Sequence, residues 1–162
     1  MTEYFTSGHA ERVPDADLNK TALNAFYLAH HAVYKNSATT PLHVVFDGPK
    51  KTASGVSLND QLLVGLIVHP PLNDVLIRFQ RHPYVLTTDV SKMYRAISLA
   101  PEDRDYHRFL CRDKPTDPVT DYRMTRVTLG ITSAALLATN SLHHLVEENE
   151  TELPLAAKVV KE

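Results

Sequence analysis

The chain is short of several things, and each shortage excludes a class of protein. Cys111 is the only cysteine in 162 residues, so no disulfide can close within the chain and an intracellular, reducing setting is expected. Glycine occurs only 5 times, which excludes most glycine-rich phosphate loops. No apolar run is long enough to span a bilayer. The first residues, among them Glu3, His9 and Glu11, lack the basic and apolar pattern of a secretory leader. Without a secretory route the glycosylation-like triplets Asn19-Lys20-Thr21 and Asn149-Glu150-Thr151 carry no meaning. A cytoplasmic protein with no membrane partner is expected.

Positive charge is scarce too. The formal net charge is −2, whereas a nucleic-acid binder normally presents a basic surface. The charge is uneven, however. Between Arg78 and Arg126 the basic residues outnumber the acids, with Arg95, Arg104, Arg108 and Arg123 among them, and the tail carries Glu147, Glu148, Glu150, Glu152 and Glu162. A basic middle is compatible with a groove for a nucleic-acid duplex. A solvated face of mixed charge is the competing reading.

What remains is the composition of an ordinary globular protein, 43% apolar and 22% charged, in a chain long enough for one core. One domain or two lobes of one domain is expected, of α+β class, as an antiparallel sheet backed by helices. Residues 1–25 read as an irregular lead-in, 26–83 as a mixed lobe and 84–162 as the sheet-bearing part. Strands are expected near 26–34 and 42–46, with a turn-rich break at 37–41 and a turn at Asp47-Gly48-Pro49. Ser57 is placed to cap a helix beginning near Leu58. A second helix follows Pro70-Pro71, with Leu72, Val75, Leu76 and Phe79 on one face. Further strands are expected at 84–89, 106–112 and 122–129, the last two joined by a loop with Pro115 and Pro118. Residues 131–148 form the clearest helix, with Ala134, Leu137, Ala138, Leu142, Leu145 and Val146 as its stripe. Residues 153–160 are short and apolar, a last helix or strand.

The chemically suggestive stretch runs from Val85 to Tyr94. Strand-forming residues end in Asp89, and Tyr94 follows five positions later. A carboxylate at the end of a buried strand is costly unless a charge, often a metal ion, lies against it. The competing reading is an N-cap for a helix that starts at Val90. The chain has nine histidines, but the neighbours His30-His31 and His143-His144 point to different sides of their elements, with no cysteine or carboxylate at ligand spacing. No structural zinc is expected.

Five blocks give the chain a family resemblance: GHAERVP from Gly8, HHAVYK from His30, VVFDG from Val44 running on to GVSLNDQLLVG from Gly55, TTDVSKMYR from Thr87, and DYRMTRVTLGITSAALLAT from Asp121. In this order and spacing they resemble the reverse transcriptase of Bel/Pao-class long-terminal-repeat retrotransposons. The resemblance implies the fingers and partial palm of an RNA-directed DNA polymerase within a longer polyprotein, acting on an RNA/DNA template-primer and a deoxynucleoside triphosphate. It places the protein in the cytoplasm, including virus-like particles. It implies that Asp89 is the first of three carboxylates holding two Mg²⁺ (or Mn²⁺) ions about 3.5–4 Å apart, with the Val90 carbonyl a further metal contact. Tyr94 matches the aromatic gate against a ribose 2′-hydroxyl, with a core tyrosine packed beside the sheet as the competing reading. Gly130 matches the glycine that lets nucleotide or template approach the backbone, with Leu129, Ile131 and Thr132 lining that surface, and a plain turn glycine is the compatible alternative. His43 stands where the family is usually basic, and Lys50 and Lys51 are the nearby cations for the triphosphate. The family has proline where Ala29 and Ala135 stand here.

The other two carboxylates belong to a Tyr-x-Asp-Asp hairpin, and these residues contain no such pair. The chain stops at Glu162, near where that hairpin begins in the family. It is therefore expected to be truncated and inactive alone, because members of a cooperative site are lost together. A non-catalytic remnant that at most binds nucleic acid is the alternative. The missing hairpin is also expected to leave an exposed sheet edge beside Asp89, favouring aggregation.

Overall fold

The computed structural model describes residues 1–20, 24–34 and 42–161. Its centre is a hairpin of β4 (Arg108–Cys111) and β5 (Thr120–Met124), antiparallel with Phe109 opposite Tyr122. The alternation expected of a half-buried strand is only partly present in β4, where Arg108 and Phe109 are both fully buried. Phe109 is fully buried while its neighbour Leu110 faces outward. Both strands are shorter than their apolar patterns suggested.

The lead-in is not irregular. It holds α1 (Thr2–Thr6) and β1 (Ala10–Arg12), and β1 pairs antiparallel with the far side of β5 to give the order β1-β5-β4. Ala-Glu-Arg has almost no strand propensity of its own. Its conformation comes from the partner strand, which local preference does not register.

A second, two-stranded antiparallel sheet consists of β2 (Ala29–Tyr34) and β3 (Leu42–Asp47), in register from Ala29–Asp47 to Tyr34–Leu42. The turn-rich break expected at 37–41 lies outside the described residues. Phe46 inserts from β3 into the main core, its ring 5.3 Å from that of Phe109. Leu28 and Phe46 thus share one apolar cluster with Phe109 and Met124, so the two expected lobes are joined by a common core. Mixed α+β architecture with small antiparallel sheets is what the chain adopts.

The helices follow their local signals closely. At α2 (Leu58–Gln61) the Ser57 hydroxyl accepts the Asp60 N–H at 3.2 Å, and the Asp60 carboxylate accepts the Ser57 N–H at 2.9 Å. After Pro71 comes α3 (Leu72–Phe79). A short α4 (Met93–Ala96) and a 3₁₀ segment (Pro101–His107) precede β4. The long α5 (Ala134–Glu148) leads to α6 (Pro154–Lys161), and the two pack together.

Three expectations fail here. Residues 84–89 form no strand, and Tyr84 and Leu86 are 91% and 95% exposed. A strand needs a neighbour to take up its backbone groups, and the described residues offer this segment none. The exposed sheet edge beside Asp89 is accordingly not formed. The apolar face of α3 is also uncovered, with Leu72 71% and Leu76 52% exposed, and α5 buries only Ala134 and Ala138 of its stripe. What stays open to water is apolar side chains rather than a sheet edge.

His107 closes the 3₁₀ segment at 5% exposure, and its Nδ1 has no hydrogen-bond partner. Burial pushes its pKa from 6.5 down to about 4. Above the unfolded value both states are neutral and the group is silent. Between about 6.5 and 4 the unfolded chain binds the proton and the folded one does not, so stability falls as the pH falls through that window. The shift corresponds to at most about 3 kcal/mol, or a loss of roughly 6–12 °C in Tm for a chain of this size. His107→Leu is expected to flatten most of this slope in melts recorded from pH 7 to 4. An unchanged slope would assign it to other groups, such as His9 and His30, whose pKa values burial also lowers.

Candidate functional site

The expected site residues fall in two places. The first is where the β2–β3 sheet meets the turn ahead of α5. Gly130 has a φ of +95°, and a Cβ on it would fall on the carbonyl oxygen of Phe46. A Cβ on the buried Gly48 would fall on the carbonyl oxygen of Gly130. Two backbones therefore touch, and glycine is required on both. Asn59 fastens the junction. Its backbone N–H donates to the Gly48 carbonyl at 3.2 Å and its side-chain amide to the Gly130 carbonyl at 3.2 Å. Its Oδ1 accepts the Thr132 N–H at 3.0 Å.

The close approach to Gly130 is thus made by protein backbone. Leu129 beside it is 56% exposed, whereas Ile131 is buried in the core and lines no surface. His43 lies half-buried on β3 opposite Val33. Lys50 and Lys51 are exposed in the loop that follows. The Lys50 N–H closes the turn onto the Asp47 carbonyl at 3.2 Å. Hydrogen bonds from Ser57 lower the Asp60 carboxyl pKa, with Lys51 adding attraction.

The second place is the segment 89–94. Asp89 is exposed on irregular chain, and neither a buried strand end nor a helix cap describes it. Val90 is 48% exposed, and its carbonyl accepts the Met93 N–H at 3.3 Å. Tyr94 sits half-buried on α4 and packs against the core cluster. Among the described residues no three of His, Cys, Asp or Glu lie together so as to hold a metal ion. Asp89 alone does not fit a two-metal centre. His30 is half-buried, its ring 5.6 Å from those of Phe46 and Phe109.

The most developed polar constellation went unforeseen. Asp105, buried in the 3₁₀ segment, receives Arg108 (3.0 Å), Arg123 (3.0 Å) and Lys20. Arg123 reaches on to Glu11 at 2.8 Å and Asp17 at 3.1 Å, and Arg104 to Glu11 at 3.4 Å. Arg108, wholly buried, also donates to the Tyr27 hydroxyl at 3.3 Å and to the Asp17 carbonyl. Burial acts to raise the Asp105 carboxyl pKa, but hydrogen bonds from Lys20, Arg123 and Arg108 outweigh it and hold the value at about 2. Arg104, Arg108 and Arg123 of the basic middle are therefore paired with Glu11, Asp17 and Asp105. The i, i+3 spacing of Asp105 and Arg108 was the only local sign of it.

A cavity of about 960 Å³ opens between Phe26, Tyr27, Leu58, Leu62 and Tyr106, with Thr52 and Ser54 at its wall. None of the expected site residues lines it. No protein-family model matches the chain, and no curated protein matches it. No helix among the described residues is long and apolar enough to cross a membrane.

Proposed function

We propose that these residues are the fingers and partial palm of a Bel/Pao-class reverse transcriptase, which copies RNA into DNA when completed by the rest of its polyprotein. The reading rests on the five sequence blocks, and one structural observation supports treating all but TTDVSKMYR as a unit. VVFDG, GVSLNDQLLVG and the block from Asp121 meet at the Gly48–Asn59–Gly130 junction. GHAERVP lies along β5 of that last block, where the Thr125 N–H donates to the His9 carbonyl at 3.0 Å. HHAVYK supplies β2 against VVFDG. Blocks far apart in sequence but knit together in space are those a fold needs jointly.

In this reading Asp89 is the first carboxylate, Tyr94 selects the sugar, and His43, Lys50 and Lys51 lie toward the triphosphate. Mg²⁺ or Mn²⁺ belongs to the completed site. One carboxylate on an exposed segment favours a second reading for these residues by themselves, a non-catalytic remnant that binds nucleic acid. Both readings expect the 162 residues alone to give no primer extension with either ion. Synthesis that Asp89→Asn abolishes would contradict that expectation.

A further inference from the structure

With Arg104, Arg108 and Arg123 paired to buried or half-buried acids, another group of cations stands out. Lys92 and Arg95 reach one carboxylate oxygen of Glu3, at 2.6 and 3.3 Å. Arg126 donates instead to the Ser98 hydroxyl and the Ala96 carbonyl. The Tyr4 ring under Arg95 lies 6.4 Å from that of His9. Thr125, next to Arg126, donates its N–H to the His9 carbonyl at 3.0 Å, so these cations share the neighbourhood of one imidazole. Burial lowers the His9 pKa, and Arg95, Arg126 and Lys92 lower it further, opposed by Glu3. Three cations thus face one acid, on a chain whose formal net charge is −2.

The group is held in place and remains reachable. The Arg95 guanidinium lies 5.1 Å over the Tyr4 ring, a cation–π contact that fixes it. Lys92 takes a left-handed φ of 54°, a conformation costly for a residue with a Cβ. The side chains of Lys92 and Glu3 are each 52% exposed and that of Arg95 is 23% exposed. Exposed ion pairs of this sort are weak and easily exchanged. His9 contributes a buried Nδ1 with no hydrogen-bond partner.

We propose that Lys92, Arg95 and Arg126, gathered around His9, bind a backbone phosphate of a nucleic-acid strand, and that Glu3 is a tethered carboxylate which the strand displaces. The inference rests on the reading of the chain as a nucleic-acid enzyme or binder. A phosphodiester suits the group because two guanidinium groups and an ammonium offer several donors to one anion. A polyanion displaces a single carboxylate because its binding also releases condensed counterions. Glu3 sits on α1, only five residues long, so releasing it disturbs little of the core.

The test is fluorescence anisotropy of a short labelled RNA–DNA duplex titrated with the full chain at several salt concentrations, with thermal melts alongside. Glu3→Gln is expected to tighten binding by roughly two- to tenfold, a gain that misfolding cannot imitate. Lys92→Gln and Arg126→Gln are each expected to weaken it and to lower the salt slope by about one. Arg81→Gln, just beyond α3, is expected to change neither. A folded Glu3→Gln with unchanged affinity overturns the proposal and leaves the polymerase reading intact. Equal losses from Arg81→Gln and Arg126→Gln, or equal affinity for anionic vesicles, also overturn it. If binding behaves as described but the completed protein extends no primer, the polymerase reading alone fails.

Discussion

Arg108→Ala is expected to cost about 3–5 kcal/mol of folding stability, the range for removing one partner of a buried ion pair. The reason lies in what is left behind. Asp105 stays almost fully buried with one guanidinium gone, and the Tyr27 hydroxyl and Asp17 carbonyl each lose a donor. Arg108 also bridges segments that nothing local joins. Its backbone N–H donates to the Phe26 carbonyl at 3.0 Å, and its own carbonyl accepts the Leu28 N–H at 2.7 Å. Truncating the side chain keeps those backbone bonds but also removes packing, since Arg108 is wholly buried. In urea unfolding the midpoint should fall with little change in slope. The double variant Arg108→Met/Asp105→Leu should recover much of the loss, since apolar replacements of both partners are often neutral. A loss below about 1 kcal/mol for Arg108→Ala would mean that Lys20 and Arg123 suffice for Asp105.

The same cluster predicts acid behaviour. The Asp105 pKa is depressed from 3.8 to about 2, so its stabilisation is complete above the unfolded value. It is lost as the pH falls through about 2. This lies below the window assigned to His107, so the two contributions are separable in one pH series.

The second large effect is at the junction of the sheets. Gly130→Ala combines a φ of +95° with a Cβ placed on the Phe46 carbonyl oxygen. The conformational cost is about 1–2 kcal/mol, and the clash forces the β2–β3 sheet off the turn, so a total above about 2 kcal/mol is expected. Gly55→Ala is the matched control. Its φ is +81°, but a Cβ there meets nothing within 4 Å. It should lose only the conformational part. Equal losses at the two positions would show that Phe46 is not the obstacle.

Much of this fold was legible where structure is decided locally. The Ser57 cap, the proline-started α3, the β4–β5 hairpin and α5 all follow from side chains within a few residues of one another. β1 was not legible, because Ala10, Glu11 and Arg12 become a strand only beside β5. Residues 84–89 erred in the opposite direction. Their side chains favour a strand, but no described segment pairs with them, and propensity does not supply a partner.

The site divides in the same way. The need for glycine at 130 was visible, while Phe46 and Gly48 as its cause required the fold. The basic residues between 78 and 126 could be counted but not sorted. Only the structure separates Arg108 and Arg123, tied to Asp105, Asp17 and Glu11, from Lys92, Arg95 and Arg126.

The measurement that bears most directly on the central claim is primer extension by a protein in which these 162 residues are continuous with a downstream Asp-Asp hairpin. Wild type and Asp89→Asn are compared on an RNA template with Mg²⁺. The polymerase reading predicts DNA synthesis by the wild type and its loss by at least about a thousandfold in Asp89→Asn, with melting and duplex binding unchanged. Extension at the same rate in both proteins would contradict the role given to Asp89, and with it the reading of this chain as the start of a polymerase active site.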